Sequence, residues 1–342
     1  LAIADGWAEL DGELIYEENF SVQDILQRGY GTSLDLTQLA LGMMREAGVE
    51  AYLALAVSRE VGVLRYTFLD PQQFDQAFIA VRLSGDKGMF VHPGAPNCPP
   101  LSIPWRIQGA LTLICTPFGS MFSRLPVDLA EDNGRACELD LVLTADGTAR
   151  GTLVCRFRGQ ANMDEKTTLQ RLPTGERKAY VKDEILRRYP GATVETIEIS
   201  GLDDYAETLQ VSAELLLPGY ATPDNGSMLI NPGFMSRPIG IATPGERRRQ
   251  PVYLPYPFTQ RIEERVSLPA GWTAELPGSQ LIRSDVGELN ISWEQEPGEL
   301  NWRHEFVQKR IFFDRSEVSL LARFLGQAAD LDSEQIARLR RP

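Results

Sequence analysis

Residues 29–57 constrain the fold of this chain most strongly, because they hold a helix start, an apolar helix and a buried strand in direct succession. Thr32 or Ser33 can cap the helix, and Asp35 then lies in its positively polarised first turn. Apolar residues occupy nearly every side of the segment that follows, which ends at a glycine. We therefore predict a buried helix, followed by a buried strand over residues 49–57.

The rest of the first hundred residues mixes helix and strand. Residues 21–28 predict a short helix that ends at Gly29. Apolar runs at 78–83 and 89–91 flank the sequence Gly-Asp-Lys-Gly at 85–88, which predicts a β-hairpin. This part of the chain therefore indicates a mixed α and β structure.

Alternation of apolar and polar residues replaces this mixed pattern from Cys137 onward. Leu139 and Leu141 share one face with Cys137, and residues 153–157 carry the matching face across an Asp-Gly turn. Such alternation over many short segments predicts a β-rich domain of sandwich type. The predicted elements are strands at 193–199, 207–217, 260–268, 272–276, 289–294 and 300–313, an inserted helix at 174–188 and a closing helix at 316–329.

The charge balance restricts the class of partner. The chain has 342 residues, and its 34 Lys and Arg against 47 Asp and Glu give a formal net charge of −13. A surface of that charge repels nucleic acid, so we expect no nucleic-acid partner. The arginine run at 247–249 is interpreted as a solvated loop. No apolar stretch reaches about 18 residues, so we also expect no transmembrane helix.

The cysteines and histidines do not predict a metal centre. The four cysteines match no zinc-binding spacing, and the chain has only two histidines to assist them. We therefore expect neither a bound metal nor a cofactor. Cys137 and Cys155 lie at nearly equal distances from the Asp-Gly turn, which allows a cross-strand disulfide, but two small buried side chains are the preferred interpretation. His304 alternates with Trp302 and is interpreted as a hydrogen-bonded strand histidine.

The order of segments in the first half resembles that of bacterial transglutaminase-like proteins. The matching segments are Gly-Tyr-Gly-Thr-Ser-Leu-Asp at 29–35, Phe-Asp-Gln-Ala-Phe-Ile-Ala-Val at 74–81 and Met-Phe-Val-His-Pro at 89–93. In that family a cysteine at the start of the buried helix attacks an amide. A histidine on the next strand is its base, and an aspartate on the strand after that orients the histidine. The helix N-terminus and the imidazolium lower the pKa of such a thiol.

The resemblance covers nearly the whole chain. Ile-Pro-Trp-Arg-Ile-Gln-Gly at 103–109 is similar to the turn that follows the family's core, and residues 257–276 are similar to its C-terminal β-rich domain of unknown function. The resemblance implies an α+β fold with a papain- or transglutaminase-like core, in which a helix packs on an antiparallel sheet. A β-sandwich-type domain with one inserted helix and a C-terminal helix then follows. We expect the core at 1–118 and the β-rich region at 119–342, with a further division near residue 255 left open.

All three catalytic positions of that family are substituted in this chain. The cysteine position holds Ser33, the histidine position holds Gln76 and the aspartate position holds His92, whereas Asp35 remains. A glutamine does not accept a proton at neutral pH, and a serine nucleophile needs a strong adjacent base. We therefore expect an inactive transglutaminase-like protein, with Tyr30 and these three substituted positions in its vestigial cleft.

Three functions stay open at this point. The expected one is a binding or scaffolding module for a protein, peptide or glycan partner. A hydrolase or acyltransferase that uses Ser33 with His92 is the first alternative, and a purely architectural domain is the second. An open groove beside Ser33 and Gln76 would favour binding, whereas a filled groove would favour architecture.

The start of the sequence bears on localisation. The chain opens at Leu1 without a methionine or a signal pattern, so either a leader has been removed or the chain is a fragment. Members of the family that it resembles carry a further β-rich domain before the core, which the sequence does not show. The same resemblance implies export and hence a periplasmic location, although the cysteine count leaves a cytoplasmic one open.

Overall fold

The computed structural model describes residues 21–67, 70–83, 88–204, 206–236 and 251–341, together with the backbone of three short strands before residue 16. The chain divides into two compact units, Leu1–Val127 and Asp128–Pro342. The expected boundary between residues 118 and 119 falls in the turn of a hairpin, where it would separate two paired strands. The middle of the Gly-Asp-Lys-Gly turn, residues 85–87, and the arginine run at 247–249 lie outside the described residues.

The described residues of the first unit form two α-helices and a five-stranded sheet, with a few further short strands. Its elements are β1 (Ala2–Ile3), β2 (Ala8–Leu10), β3 (Glu13–Ile15), α1 (Val22–Arg28), β4 (Tyr30–Gly31), α2 (Ser33–Glu46), β5 (Ala51–Ala56), a 3₁₀ turn (Pro71–Gln73), β6 (Gln76–Arg82), β7 (Gly88–Val91), β8 (Leu111–Thr116) and β9 (Gly119–Arg124). The sheet has the order β7-β6-β5-β8-β9, and every neighbouring pair in it is antiparallel. The predicted hairpin is present as β6 and β7.

Helix α2 begins with a capping box that settles which residue caps it. Thr32 is the N-cap: Asp35 N–H donates to Thr32 Oγ1 at 3.2 Å, and Thr32 N–H donates to Asp35 Oδ2 at 2.9 Å. The Thr37 hydroxyl joins the helix to the sheet by donating to the Ala77 carbonyl of β6 at 2.9 Å. The prediction of a buried helix holds for one face only, which includes Leu36, Leu39 and Leu41, whereas Leu34 and Met43 are exposed.

The second unit contains three helices and most of the strands. Its elements are a 3₁₀ turn (Ala130–Asp132), β10 (Gly134–Leu143), β11 (Ala149–Arg158), α3 (Gln160–Arg171), α4 (Arg177–Arg188), β12 (Thr193–Ser200), β13 (Gln210–Leu217), β14 (Ala221–Asp224), β15 (Ser227–Ile230), β16 (Val252–Tyr253), β17 (Phe258–Ser267), β18 (Thr273–Glu275), β19 (Gln280–Arg283), β20 (Gly287–Glu296), β21 (Glu299–Gln308), β22 (Phe312–Phe313), α5 (Val318–Ser333) and β23 (Ala337–Arg340). The sequence predicted α4 and α5, but it missed α3.

An eight-stranded sheet of order β12-β13-β11-β10-β17-β21-β20-β19 organises this unit. All its neighbouring pairs are antiparallel except β10 and β17, which run parallel. Apolar residues of α3, α4 and α5 join one face of the sheet in a single core that also includes strands of a four-stranded sheet, β14-β15-β23-β18. Paired charges such as Arg156 with Glu138 line the opposite, solvent-exposed face.

A disulfide bond links β10 to β11. Cys137 lies directly opposite Cys155 in the antiparallel register, and the two are bonded with a Cα–Cα distance of 4.1 Å. The expectation of two unlinked buried cysteines was therefore wrong. Direct pairing across two adjacent strands brings the thiols within bonding distance, whereas the sequence showed only their approximate symmetry about the turn.

The expected fold class was also wrong. Strands account for 40% of the residues and helices for 22%, which makes the chain a β-rich fold rather than a papain-like core of helix on sheet followed by a sandwich. The second unit contributes most of the described strands, and eight of them form one broad open sheet. Alternation of apolar and polar residues predicts that each strand has one buried and one exposed face, but it does not predict how many strands join a single sheet.

Candidate functional site

Ser33 occupies the first turn of α2, where the resemblance places a catalytic nucleophile. Its Oγ atom is buried and has no hydrogen-bond partner among the described residues. The capping role belongs to Thr32 instead, so the Ser33 hydroxyl does not satisfy the helix N-terminus. Ser33 is thus a small polar side chain enclosed at the start of the helix.

Gly94 is the residue that encloses Ser33. A Cβ atom built on Gly94 would lie 2.2 Å from Ser33 Oγ and 2.7 Å from Ser33 Cα. Contacts that short do not occur between real atoms, so only glycine permits the segment after β7 to lie this close to the helix. The sequence analysis missed Gly94, whose only signal was its place directly after the His-Pro pair.

His92 follows β7 and lies inside the first unit. Its side chain is only 5% exposed, and its ring stacks on that of Phe78, with centroids 5.8 Å apart and an interplanar angle of 12°. Neither ring nitrogen has a hydrogen-bond partner among the residues that the structure describes. Burial disfavours the charged form and lowers the pKa of His92 to about 4, so the imidazole is neutral at physiological pH.

Gln76 is the first residue of β6 and is half-buried. Its amide nitrogen donates to Asp75 Oδ2 at 3.3 Å. Tyr30 lies in β4, two residues before the cap of α2, and is also half-buried. Among the described residues, neither side chain forms a hydrogen bond with the Ser33 hydroxyl. Hydrogen bonds therefore do not join the expected cleft residues to Ser33.

Ser33 lies close to the segment that follows His92, because Gly94 contacts Ser33. In the β6–β7 pair Ile79 lies opposite Val91, and the next residue on each strand continues the contact, since the His92 ring stacks on that of Phe78. The chain then turns, because the Ala95 N–H donates to the His92 carbonyl at 3.1 Å. The backbone at Gly94 fills the space beside Ser33, whereas the side-chain hydrogen bond described for Gln76 goes to Asp75.

The chemistry available at this site is limited. No thiol lies at the start of α2, because the first cysteine in the sequence is Cys98. The Cys98 thiol instead contacts the carbonyl of Ser102 at 3.4 Å. A buried serine hydroxyl without a bonded base is a poor nucleophile. The described part of the chain also holds no group of three or more His, Cys, Asp or Glu side chains placed to bind a metal ion.

The second unit holds a buried polar cluster that the sequence analysis did not find. Glu263 and Glu264 are adjacent in β17. Carboxylate side chains are usually solvated, and that of Glu263 is partly exposed. Glu264 is fully buried and accepts hydrogen bonds from the Tyr220 hydroxyl and the Gly233 N–H, each at 2.8 Å. Burial raises the pKa of Glu264 to about 7, and both hydrogen bonds oppose that rise. The sequence signal for its burial was the alternation along β17, where Glu264 lies on the same face as the apolar residues Ile262 and Val266.

His304 has the structural role that its pattern predicted. It is buried on β21, and its Nε2 atom lies 3.0 Å from Asp332 Oδ1 of α5. The pair ties the last helix to the eight-stranded sheet. Of the helices that the structure describes, none combines the length and hydrophobicity that a membrane-spanning segment requires.

Comparisons with known proteins assign part of the chain and its fold. Residues 226–337 match DUF3858, described as a domain of unknown function with a solved structure. A search of curated proteins found no match. The structure is similar to the crystal structure of a putative protease from Parabacteroides distasonis, with a TM-score of 0.53 and 11% sequence identity. The match covers 93% of this chain and 45% of that protein, so this chain spans less than half the length of its structural relative.

Proposed function

We propose that this chain is a non-catalytic scaffolding module that derives from a transglutaminase-like enzyme. The observation that supports this proposal most directly is the contact between Gly94 and Ser33, which closes the space that a substrate would need. An amide substrate must approach within about 3.5 Å of the nucleophile. The buried Ser33 hydroxyl is not accessible to such a group.

The proton chemistry supports the same proposal. An acyl-transfer reaction needs a base within hydrogen-bond reach of the nucleophile. Gln76 stands where the resemblance places that base, and an amide side chain does not accept a proton at neutral pH. The Ser33 hydroxyl also makes no described hydrogen bond to His92. In this proposal Ser33 stands at the position of the former nucleophile, without a group to activate it.

The transglutaminase-like ancestry rests on the order of elements in the first unit. The capped helix α2 leads into β5, and β6 and β7 follow, with Gln76 as the first residue of β6 and His92 directly after β7. The fold likeness to a putative protease is compatible with such an origin. The filled space beside Ser33 favours an architectural role over binding at that position, so a protein, peptide or glycan partner of the module would be engaged elsewhere on its surface. A periplasmic location is part of the proposal, and cell fractionation would test it.

The test is an assay of amide hydrolysis and transamidation with the unmodified chain, the Ser33→Ala variant and the double variant Ser33→Cys, Gln76→His. We expect no turnover by the unmodified chain, and hence no difference between it and the Ser33→Ala variant. The double variant restores a thiol and an imidazole at the family's positions, and any activity it gains supports the proposed ancestry. Turnover by the unmodified chain that disappears in Ser33→Ala would refute the proposal.

A hydrolase that uses Ser33 with His92 is the second candidate. One observation favours it. The Ser33 hydroxyl and both nitrogens of the neutral His92 ring are buried, and none of the three atoms has a hydrogen-bond partner among the described residues. A small movement that opens the Gly94 segment would expose both groups. A fluorophosphonate probe would then label Ser33 in the folded protein, with Ser33→Ala as the control. We expect no labelling, whereas labelling that His92→Gln abolishes would establish this candidate.

A further inference from the structure

One edge of the five-stranded sheet is unprotected. β9 lies at that edge and pairs only with β8 among the described strands. The opposite edge strand, β7, has four residues, and Pro93 follows it closely, which limits pairing there. β9 has six residues and contains no Lys, Asp, Glu or Pro of the kind that usually prevents edge-to-edge pairing.

The exposed edge is also rigidly defined. β8 and β9 pair over six consecutive residues without a bulge. At the turn, the Thr116 hydroxyl donates to the Gly119 carbonyl at 2.6 Å and accepts from the Phe118 N–H at 3.3 Å. The only charged side chain of β9, Arg124, folds back to donate to the Gly109 carbonyl at 2.8 Å. A strand held in this way loses little conformational entropy when another strand pairs with it.

Two large apolar side chains are exposed on this edge. Met121 is 54% exposed and Phe122 is 44% exposed. Phe122 lies opposite the half-buried Leu113 of β8, so one face of the hairpin carries two neighbouring apolar side chains. Burial of such surface supplies the main free energy of most protein associations.

The backbone shows which residues can pair outward. Leu125 N–H donates to the Ala110 carbonyl at 2.9 Å, so the peptide groups of odd-numbered residues near β9 face β8. The N–H and C=O groups of Ser120, Phe122 and Arg124 therefore face away from the sheet. They form a ladder of three residues that another antiparallel strand can complete.

We propose that β9 pairs with β9 of a second copy of this chain and extends the sheet across a two-fold axis. Such an axis is perpendicular to the sheet. Even-numbered residues of one copy therefore lie opposite even-numbered residues of the other, and odd-numbered residues opposite odd-numbered ones. Pairing centred on Phe122 places Ser120 opposite Arg124 of the second copy and Met121 opposite Ser123. This register uses all three outward-facing residues of each strand, which gives about six backbone hydrogen bonds.

Side-chain complementarity is the reason for choosing a second copy as the occupant. The two Phe122 rings meet on one face, and Leu113 of each copy flanks them. The two Arg124 residues lie at opposite ends, about 13 Å apart along the strands, so their repulsion is largely screened at physiological ionic strength. The inference does not depend on the proposed function, because β9 is at the sheet edge opposite β7 and the Ser33 region.

Sedimentation equilibrium of the intact chain tests the association. An interface of one strand pair is small, so we expect a dimer with a dissociation constant of micromolar order. Phe122→Lys introduces two facing charges and should lower the association constant at least about tenfold. Val63→Lys is the matched control, because Val63 is 78% exposed in the loop between β5 and the 3₁₀ turn rather than on β9, and it should leave the constant unchanged. A chain that stays monomeric at several hundred micromolar overturns the proposal.

Disulfide trapping tests the register and does not require that Phe122→Lys fold. The background carries Cys98→Ser and Cys115→Ser, which remove the free thiols of the described residues. Met121→Cys and Ser123→Cys are prepared separately and mixed under mild oxidation. Directly opposed residues in a non-hydrogen-bonded pair have Cα atoms about 4.5 Å apart, so the mixture should form a covalent dimer that neither variant forms alone. Equal cross-linking in all three samples, or none in any, would contradict pairing through β9.

Discussion

The phenolic hydroxyl of Tyr220 donates a hydrogen bond of 2.8 Å to Oε2 of Glu264 within the core of the second unit. The Gly233 N–H donates to the other carboxyl oxygen over the same distance. Burial still dominates and raises the pKa of Glu264 to about 7. The stability of this unit therefore depends on the protonation of a carboxyl group that no solvent reaches.

The sign of that dependence is a testable prediction. Because the folded-state pKa of Glu264 is raised above 4.5, the folded state binds the proton more tightly than the unfolded state does. The free energy of unfolding should therefore fall as pH rises from about 4.5 to 7, by roughly 3 kcal/mol. The Glu264→Gln side chain has nearly the same shape but does not titrate, so this loss of stability should be absent in the variant. Urea denaturation measures the free energy of unfolding of both proteins at pH 5 and pH 8. If the native chain and the variant differ by the same amount at both pH values, the prediction is contradicted.

His92 should show the opposite dependence. Burial lowers its pKa from 6.5 to about 4, so only the unfolded state takes up a proton between those values. Its contribution to stability should be present above pH 6.5 and lost as pH falls toward 4. The chain has two histidines, so NMR titration of the imidazole resonances, assigned with His304→Gln, can follow His92 directly. A midpoint near 6.5 in the folded protein would show that the ring reaches water.

Gly94→Ala should destabilise the first unit. The added methyl group meets the backbone of Ser33 as well as its side chain, so rotation of Ser33 does not relieve the contact. We expect a loss of about 2 kcal/mol in the free energy of unfolding. Gly42→Ala is the matched control, because Gly42 is on the exposed side of α2 with no heavy atom near its Cβ position, and it should stabilise by up to about 1 kcal/mol. Thermal denaturation compares the two, and a neutral Gly94→Ala would mean that the Ser33 region is open.

Reduction of the disulfide between Cys137 and Cys155 should weaken the second unit. The bond closes a segment with a sequence separation of 18 residues. Its removal should lower the free energy of unfolding by about 3 kcal/mol, mainly because the unfolded chain gains freedom. The double variant Cys137→Ser, Cys155→Ser reproduces the effect without a reductant, and Cys98→Ser, Cys115→Ser controls for loss of thiols. The control keeps the disulfide and should therefore respond to the reductant as the native chain does. If the reductant also destabilises Cys137→Ser, Cys155→Ser by as much as it destabilises the native chain, the disulfide is not the cause.

Lys166→Met tests a buried cation on α3. Lys166 is inaccessible to solvent, and its ammonium group donates to the carbonyls of Asp204 at 2.5 Å and Glu207 at 2.7 Å. Removing the donor leaves two carbonyl groups without these bonds, so we expect a loss of about 3 kcal/mol. Lys178→Met, on the exposed side of α4, is the control and should change stability little. Hydrogen exchange would report faster opening of residues 201–209 in Lys166→Met alone.

Several elements were predictable because their signals are local. Thr32 and Asp35 are three residues apart and form the capping box that starts α2, although the sequence left Thr32 and Ser33 as alternatives. The alternation after Cys137 and the Asp-Gly turn correctly predicted the β10–β11 hairpin. Each of these signals depends on backbone geometry within a few residues, which adjacent side chains control.

Other features depended on segments far apart in the chain. The parallel pairing of β10 with β17 joins residues more than one hundred positions apart, and alternation within either strand does not predict it. The helix over α3 was missed because its buried face includes polar residues such as Gln160, Asn162 and Lys166, whose partners are in distant loops. The pattern of a single segment does not show which polar side chains a tertiary structure will satisfy.

The sequence by itself determined that Ser33, Gln76 and His92 stand at the three positions that the resemblance to transglutaminase-like proteins marks, because the side-chain chemistry at a position is a property of that residue alone. It also limited the N-cap of α2 to Thr32 or Ser33. Only the tertiary structure decided that Gly94 closes the space beside Ser33, that Cys137 bonds to Cys155 and that Glu264 is buried. These three outcomes depend on the packing of distant backbone segments, and close packing allows only one of the arrangements that local patterns permit.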